Sequence, residues 1–514
     1  MSTAAPPSAP PSSRSRAQSP SGFVPLLLRL HFYAGVLVAP FLLVAALTGL
    51  AYVFSPQIDR ILYADELIVP NPAGPTRPVA EQIAAARASA PGGTLVTVRP
   101  GEGSATTQVD FALPTLDEDH RRTVYVNPYS GEVTGHLTTW FSYTPVRTWL
   151  DDLHRNLHLG AAGRHYSEFA ASWLGVITVG GLLLWWRRRR GTRPPGTRPA
   201  TSDNRPPSTR PAASGNRPAA SGRRFGRTVR GLLVPDLAAA KGVHRTRGWH
   251  AATGVWLSAG LLILSVTGLT WSRYAGGNFS EALDALDGSR PSVSTSLTGA
   301  AATPTGHHGG TAAVAGTADH TAIDGVLKVA RDNGLDGPLE VTAPADGTSA
   351  WKVAQNDSLW PVRQDSVAVD ATAGTVTDRV NFADWPLLAK LTSWGVNAHM
   401  GLLFGLPNQI LLAALAIGLL CVIVWGYRMW WQRRPTRADR RAPVGAPLGT
   451  RGAWQQLPPW AIVAGVPAVI ALGWAVPLFG IPLAAFLLFD VATGTIQSRR
   501  RKPPAPVSPA PAGS

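Results

Sequence analysis

Four long apolar runs, each meeting a histidine at one end, constrain this chain most, because they come as two copies of one pattern. The first half reads His31-Phe-Tyr-Ala-Gly35 and stays apolar to Thr48-Gly49-Leu50. The second reads His250-Ala-Ala-Thr-Gly254 and stays apolar to Thr267-Gly268-Leu269, with 17 residues from histidine to threonine both times. Each half then enters another apolar run after His-x-Gly, at His158-Leu159-Gly160 and His399-Met400-Gly401. These runs end in Trp185-Trp186-Arg187 and Trp430-Trp431-Gln432-Arg433. Runs of this length cross a bilayer as helices. An imidazole there is costly unless it faces a partner, a cofactor or water. Four at matching places point to a bound metal or haem.

The single cysteine, Cys421, excludes an intrachain disulfide and any site built from several thiolates. The net charge of +16 is concentrated rather than spread: residues 187–247 hold sixteen Arg or Lys against Asp203 and Asp236. Basic segments alternate with mildly acidic ones across successive apolar runs, which is the positive-inside pattern. The basic linker lacks interleaved aromatics, so no nucleic-acid partner is expected.

These features give a multi-pass protein of the cytoplasmic membrane with both termini cytoplasmic. Residues 1–21 read as disordered and 22–54 as the first spanning helix. Residues 55–165 are external, 166–186 the second helix, and 187–249 a cytoplasmic linker rich in Arg and Pro. That linker reads as a solvated tether, with contact to anionic headgroups as the functional option. The third helix is 250–272, the second external segment 273–402, the fourth helix 403–427, and 428–457 a basic cytoplasmic loop. The stretch 458–490 is too long for one comfortable span. It reads as a hairpin breaking near Pro477, with a re-entrant segment or one tilted helix as the alternative, ahead of a cytoplasmic tail at 491–514. In this reading no acidic residue sits mid-helix to couple ions.

Each external segment carries the same α+β module. In the first, 79–90 is a helix, with strands at 94–98, 107–112 and 122–128, closing as Val124-Tyr-Val-Asn-Pro-Tyr-Ser-Gly131-Glu-Val133. In the second, 322–333 is the helix, with strands near 339–343, 350–354 and 366–370, closing as Val367-Ala-Val-Asp-Ala-Thr-Ala-Gly374-Thr-Val376. A glycine at that place suits a left-handed turn. The fold class is therefore a membrane all-α bundle of four core helices plus a C-terminal hydrophobic hairpin, bearing two extracytoplasmic α+β modules, with internal duplication.

On several of these segments the chain resembles the PepSY-associated transmembrane proteins, also called iron-regulated membrane proteins. The resemblance is carried by His31-x3-Gly35, the V-Y-V-N-P-Y-S-G-E-V turn and Leu153-His154-Arg155-Asn156-Leu157-His158. Asp384-Trp385-Pro386 through His399-x-Gly401-x3-Gly405-Leu406-Pro407, ending in Trp430-Trp431 and Arg433-Arg434, also fits. It covers roughly 25–190 and 243–435, and identifies the external modules as PepSY-like. Members include haem-containing inner-membrane reductases that release iron from ferric siderophores. The resemblance thus implies a haem-b electron carrier, a ferric chelate as substrate and a ferric-chelate oxidoreductase activity.

Haem b needs axial nitrogens projecting from facing helices into an apolar slot. His31 and His250 stand near the cytoplasmic face, His158 and His399 near the outer face. The repeat pairs His31 with His250 and His158 with His399, giving two haems about 20 Å apart in a hydrocarbon core of about 30 Å. Gly35, Gly254, Gly160 and Gly401 would let a flat macrocycle approach. His154 is a further candidate, as an extra ligand, a propionate partner or a substitute for His158; in sequence Gly395 stands at its place in the second half. His165 is another. Arg147, Arg155 and Arg164, with Trp140, Trp149, Trp385 and Trp394, fall near the outer mouth, where propionate or chelate contact competes with interface anchoring. His307-His308 and Asp319-His320 lie in a Gly/Ala/Thr-rich loop where a divalent metal is one option. No nicotinamide or flavin motif is present, so electrons need a separate donor, a quinol or a cytoplasmic reductase. Two other readings compete. One is a non-enzymatic protein whose PepSY-like modules bind peptides or regulate a peptidase. The other is a transporter, disfavoured by the lack of a mid-helix acid.

Overall fold

The computed structural model describes residues 23–191, 234, 242–298, 319–433 and 459–500. The helices are α1 (Phe23–Tyr52), α2 (Ser55–Leu62), α3 (Ala64–Leu67), α4 (Val79–Ser89), α5 (Pro145–Asn156), α6 (Gly160–Gly191), α7 (Val243–Leu269), α8 (Ala275–Ala285), α9 (Ile323–Asp332), α10 (Leu387–His399), α11 (Leu406–Gln432), α12 (Pro459–Ala475) and α13 (Pro477–Arg500). The strands are β1 (Thr94–Arg99), β2 (Thr107–Ala112), β3 (His120–Val126), β4 (Val133–Trp140), β5 (Leu339–Thr342), β6 (Trp351–Gln355), β7 (Ser366–Asp370) and β8 (Thr375–Val380).

Among these, α1, α6, α7 and α11 are long and apolar enough to cross a membrane. They pack as a bundle, α6 on α7, α7 on α11 and α1 on both α6 and α11. Its interior holds Val38, Leu42, Trp173, Leu261 and Leu419. The second spanning helix starts at Gly160 rather than 166, because its polar first turns find partners. Arg164 donates to the Trp271 carbonyl (3.1 Å), His165 meets the Tyr274 hydroxyl (3.1 Å), and Glu168 accepts from the Tyr274 and Ala275 amides at 2.9 and 3.1 Å. The third starts at Val243 rather than 250, and the fourth covers Leu406–Gln432 rather than 403–427.

The two α+β modules do not stand apart. Their strands form one antiparallel sheet in the order β4-β3-β2-β1-β5-β6-β7-β8, joined where Thr97 pairs with Thr342 and Val98 with Val341. The order reads alike from either edge. Helices α4 and α9 cover one face over Ile83, Phe111, Val124, Ile323, Val341 and Val353. Asp324 of α9 accepts from the Val79 and Ala80 amides (2.7 and 3.0 Å), so one module caps the first helix of the other. The two repeated turns place Gly131 and Gly374 at φ +76° and +65°, a region open to glycine.

The last apolar stretch forms α12 and α13, separated at Val476 beside Pro477. Phe479 meets Trp173 edge-on at 5.2 Å, and the Trp173 indole donates to the Leu478 carbonyl (3.3 Å). Asn278 donates to the Trp474 and Ala475 carbonyls, both at 3.1 Å. Deepest is an ion pair, Arg29 Nη2 to Asp490 Oδ2 at 2.9 Å, with both side chains buried. Two acidic residues therefore do lie within the apolar helices, contrary to expectation. Glu168 closes the start of α8, and Asp490 answers Arg29.

Candidate functional site

Helix α5 begins at Thr144, whose hydroxyl accepts from the Arg147 amide (3.4 Å), with Pro145 next. It stops where Leu157 and His158 turn left-handed, at φ +54° and +55°. That stop decides which histidine faces inward. His154, in the last helical turn, is carried against α1. Its Nδ1 lies 2.9 Å from Thr48 Oγ1, and its ring sits so close to Gly49 that an added Cβ would come within 3.1 Å. His158 is thrown outward, exposed, and stacks on Trp149 at 5.0 Å.

Helix α10 runs through His399, and the Asn408 amide donates to the Ala398 carbonyl (2.8 Å), fixing its end against α11. His399 Nδ1 lies 2.7 Å from Thr267 Oγ1, and its ring covers Gly268 at 3.5 Å. The pairing expected between His158 and His399 is therefore not formed. His154 stands where His158 was expected, within electrostatic reach of His399.

The threonines settle the ring orientation. Thr48 Oγ1 donates to the Val44 carbonyl and Thr267 Oγ1 to the Ile263 carbonyl, both at 2.8 Å. A hydroxyl has one proton, so each oxygen accepts from histidine Nδ1–H. Both Nε2 atoms then carry the lone pair. Burial pushes His154 and His399 down to about 4, keeping the imidazoles neutral at physiological pH.

The second pair lies at the far end of the bundle, with threonine and histidine on one helix about 25 Å apart for 17 residues. His250 Nδ1 donates to the Val422 carbonyl (3.0 Å), its ring 3.8 Å from a Cβ built on Gly426. His31 faces Gly181 (3.1 Å) and Gly180 (3.6 Å), with Nδ1 buried toward the Ile177 carbonyl without a fully formed hydrogen bond. Gly181 and Gly426 each stand four residues before a tryptophan pair, so the two environments repeat. His31 and His250 lie within electrostatic reach of each other.

The residues fit axial ligation better than a bare metal ion. Among the described residues, no three His, Cys, Asp or Glu side chains converge as a metal cluster. None of the four Nε2 atoms has a hydrogen bond there. One helical turn beyond His31 and His250, a Cβ on Gly35 or Gly254 would meet nothing within 4 Å. Gly160 and Gly401 instead serve turns, at φ +55° and +79°. An apolar cavity of about 310 Å³ opens beside His399, lined by Gly260, Leu264, Phe404, Leu411 and Leu415, with Asn408 as its polar edge.

Above His154 the remaining candidates separate. Arg155 is held by Asp151 (3.3 Å) and Asp152 (3.2 Å) and lies over Trp140. Arg164 is committed to Trp271, and His165 to Tyr274. Arg147 is two turns from His154 on the same face of α5. It lies 4.0 Å over the Tyr143 ring and beside the buried Tyr52 hydroxyl. Trp149 is exposed, Trp385 is buried, and Trp394 packs on Trp360 at 5.4 Å. His307 and His308 lie outside the described residues, while Asp319 accepts from the Thr321 amide and hydroxyl. The roles of Thr48 and Thr267 were readable only as a repeated Thr-Gly without a partner.

The model of the PepSY-associated TM region matches residues 28–433, and the chain belongs to that family, as a multi-pass membrane protein with a PepSY-like sheet region. No curated protein matches it.

Proposed function

We propose that this protein is a haem-b electron carrier of the cytoplasmic membrane that reduces a ferric chelate, such as a ferric siderophore, at the outer face. The observation that carries the reading is the repeated environment of four histidines, each with Nδ1 turned to an acceptor on a neighbouring helix and Nε2 unengaged. His31 and His250 would hold one haem, and His154 and His399 the other. Haem, when bound, supplies one-electron redox chemistry at potentials set by its ligands and surroundings. Thr48, Thr267 and the Val422 carbonyl fix ring orientation and raise imidazole basicity, as outer partners of metal ligands do. Arg147, with Tyr52 and Tyr143, offers a cation to the propionates of the outer haem. The apolar side chains between the levels exclude water. A quinol or a cytoplasmic reductase supplies the electrons. The basic flanks support cytoplasmic termini, the sheet outside, and two crossings for α12 and α13.

Rapid mixing of dithionite-reduced, desalted protein with ferric citrate tests the activity. The account expects the haem bands to return to their oxidised form as ferrous iron appears. Bands that stay reduced while the chelate is in excess would remove the reductase assignment.

Thr267→Val or Thr48→Val keeps the shape and deletes the acceptor. Each is expected to weaken haem retention at the outer level roughly 10- to 100-fold, the usual range for such outer partners. Thr→Ser at either place should retain haem. Equal retention by the valine and wild-type proteins in a haem-transfer assay to apomyoglobin would show that the threonines do not orient the ligands.

A further inference from the structure

The face of the sheet turned away from α4 and α9 carries a second polar constellation, separate from the histidines. Side chains alternate along strands, so Glu340 and Thr342 of β5, Lys352 of β6 and Ala368 of β7 share that face. Arg290, from the segment after α8, lays its guanidinium over the Trp385 ring at 4.8 Å. Trp385 is only 4% exposed, yet its indole N–H is buried with no acceptor. Among the described residues, no hydrogen bond or ion pair takes up the side-chain cations of Arg290 or Lys352. The nearest carboxylate, Glu340, leans to Arg99 at 3.3 Å, and Arg99 pairs with Asp110 at 2.7 Å. Arg99, Arg290 and Lys352 share this side with Asp110, Glu340 and Asp378, the last engaged by the Ser294 amide at 2.6 Å. Desolvation, and then the Arg290 charge, pull Lys352 below the ordinary lysine range, with Glu340 opposing.

Buried polar groups are normally satisfied. The buried indole N–H of Trp385 lacks an acceptor, with the exposed Arg290 guanidinium over its ring and half-buried Lys352 on the same side of the sheet. We propose that Arg290, Lys352 and Trp385 form a binding site for an anionic, oxygen-rich ligand, a carboxylate or phosphate group. Arg290 supplies a planar fork for a two-oxygen group, Lys352 a point charge, and Trp385 a single directed donor. Taking that ligand to be the anionic ferric chelate rests on the proposed function; the capture of an anion does not. A phospholipid headgroup presents the same chemistry.

The test uses full-length protein in phosphatidylcholine nanodiscs, titrated calorimetrically with gallium(III) citrate. Gallium(III) is not reduced under these conditions, so neither haem content nor electron transfer affects the readout. Arg290→Gln and Lys352→Gln are each expected to weaken binding roughly tenfold or more, as for loss of a charge-assisted hydrogen bond. Trp385→Phe, which keeps the ring and removes the donor, is expected to weaken it several-fold. A second arm measures phosphatidylglycerol co-purifying from mixed nanodiscs. Loss of that lipid in the two Gln variants, with gallium citrate unbound, supports the site and assigns it to a headgroup. Wild-type protein that takes up neither probe, or Gln variants that bind both as wild type does while melting at the same temperature, would overturn the proposal.

Discussion

His154→Ala is expected to remove one of two haems, and His158→Ala to leave both. The two histidines are one helical turn apart in sequence, and only His154 faces the bundle. His154 packs on Gly49 and is held by Thr48, whereas His158 is exposed against Trp149. His399→Ala should lose the same haem as His154→Ala, because the two residues lie within electrostatic reach of each other, each on the repeated threonine of its helix. His31→Ala and His250→Ala should each lose the other. Haem content and reduced-minus-oxidised spectra of the five purified variants check the pattern. A His158→Ala protein that loses haem while His154→Ala keeps it would reverse the assignment.

The second large effect concerns the C-terminal helices, which lie beyond the residues matched by the family. Asp490→Ala removes the carboxylate 2.9 Å from Arg29 and leaves that guanidinium buried. Breaking a buried ion pair from one side typically costs about 3–5 kcal/mol. The variant should therefore lose α13 from the bundle well below the wild-type melting temperature in detergent. Replacing both partners, Arg29→Met with Asp490→Leu, removes both buried charges together and should recover most of the loss. Melting of the single variant at the wild-type temperature would show that the pair does not hold these helices.

The sequence located the elements better than it located their partners. The apolar runs and the alternation of the strands between them are local signals, and the strands at 94–99, 107–112 and 366–370 follow them closely. The Gly131 and Gly374 turns are legible for the same reason, since only backbone geometry decides them. What was not legible depends on contacts distant in the chain. Nothing in β1 or β5 announces that Val98 will pair with Val341 and fuse two modules into one sheet. Asp490 has no local partner, because Arg29 lies 461 residues away. The placement of the histidines depends on the backbone instead. Asn156-Leu-His158-Leu-Gly160 and Asn397-Ala-His399-Met-Gly401 align residue for residue. The first helix, however, ends at Asn156 and turns left-handed, while the second continues to His399. Equal sequence spacing therefore gives unequal placement, and His154 takes the position that the repeat assigned to His158.

In the proposed function, imidazoles on opposed helices hold iron porphyrin at both ends of the bundle. Its most direct test is a pyridine haemochromogen assay on monodisperse protein purified after expression with supplied haem, set against the protein concentration from amino-acid analysis. Two haems b per chain are expected; well-folded protein that carries none would overturn the haem assignment.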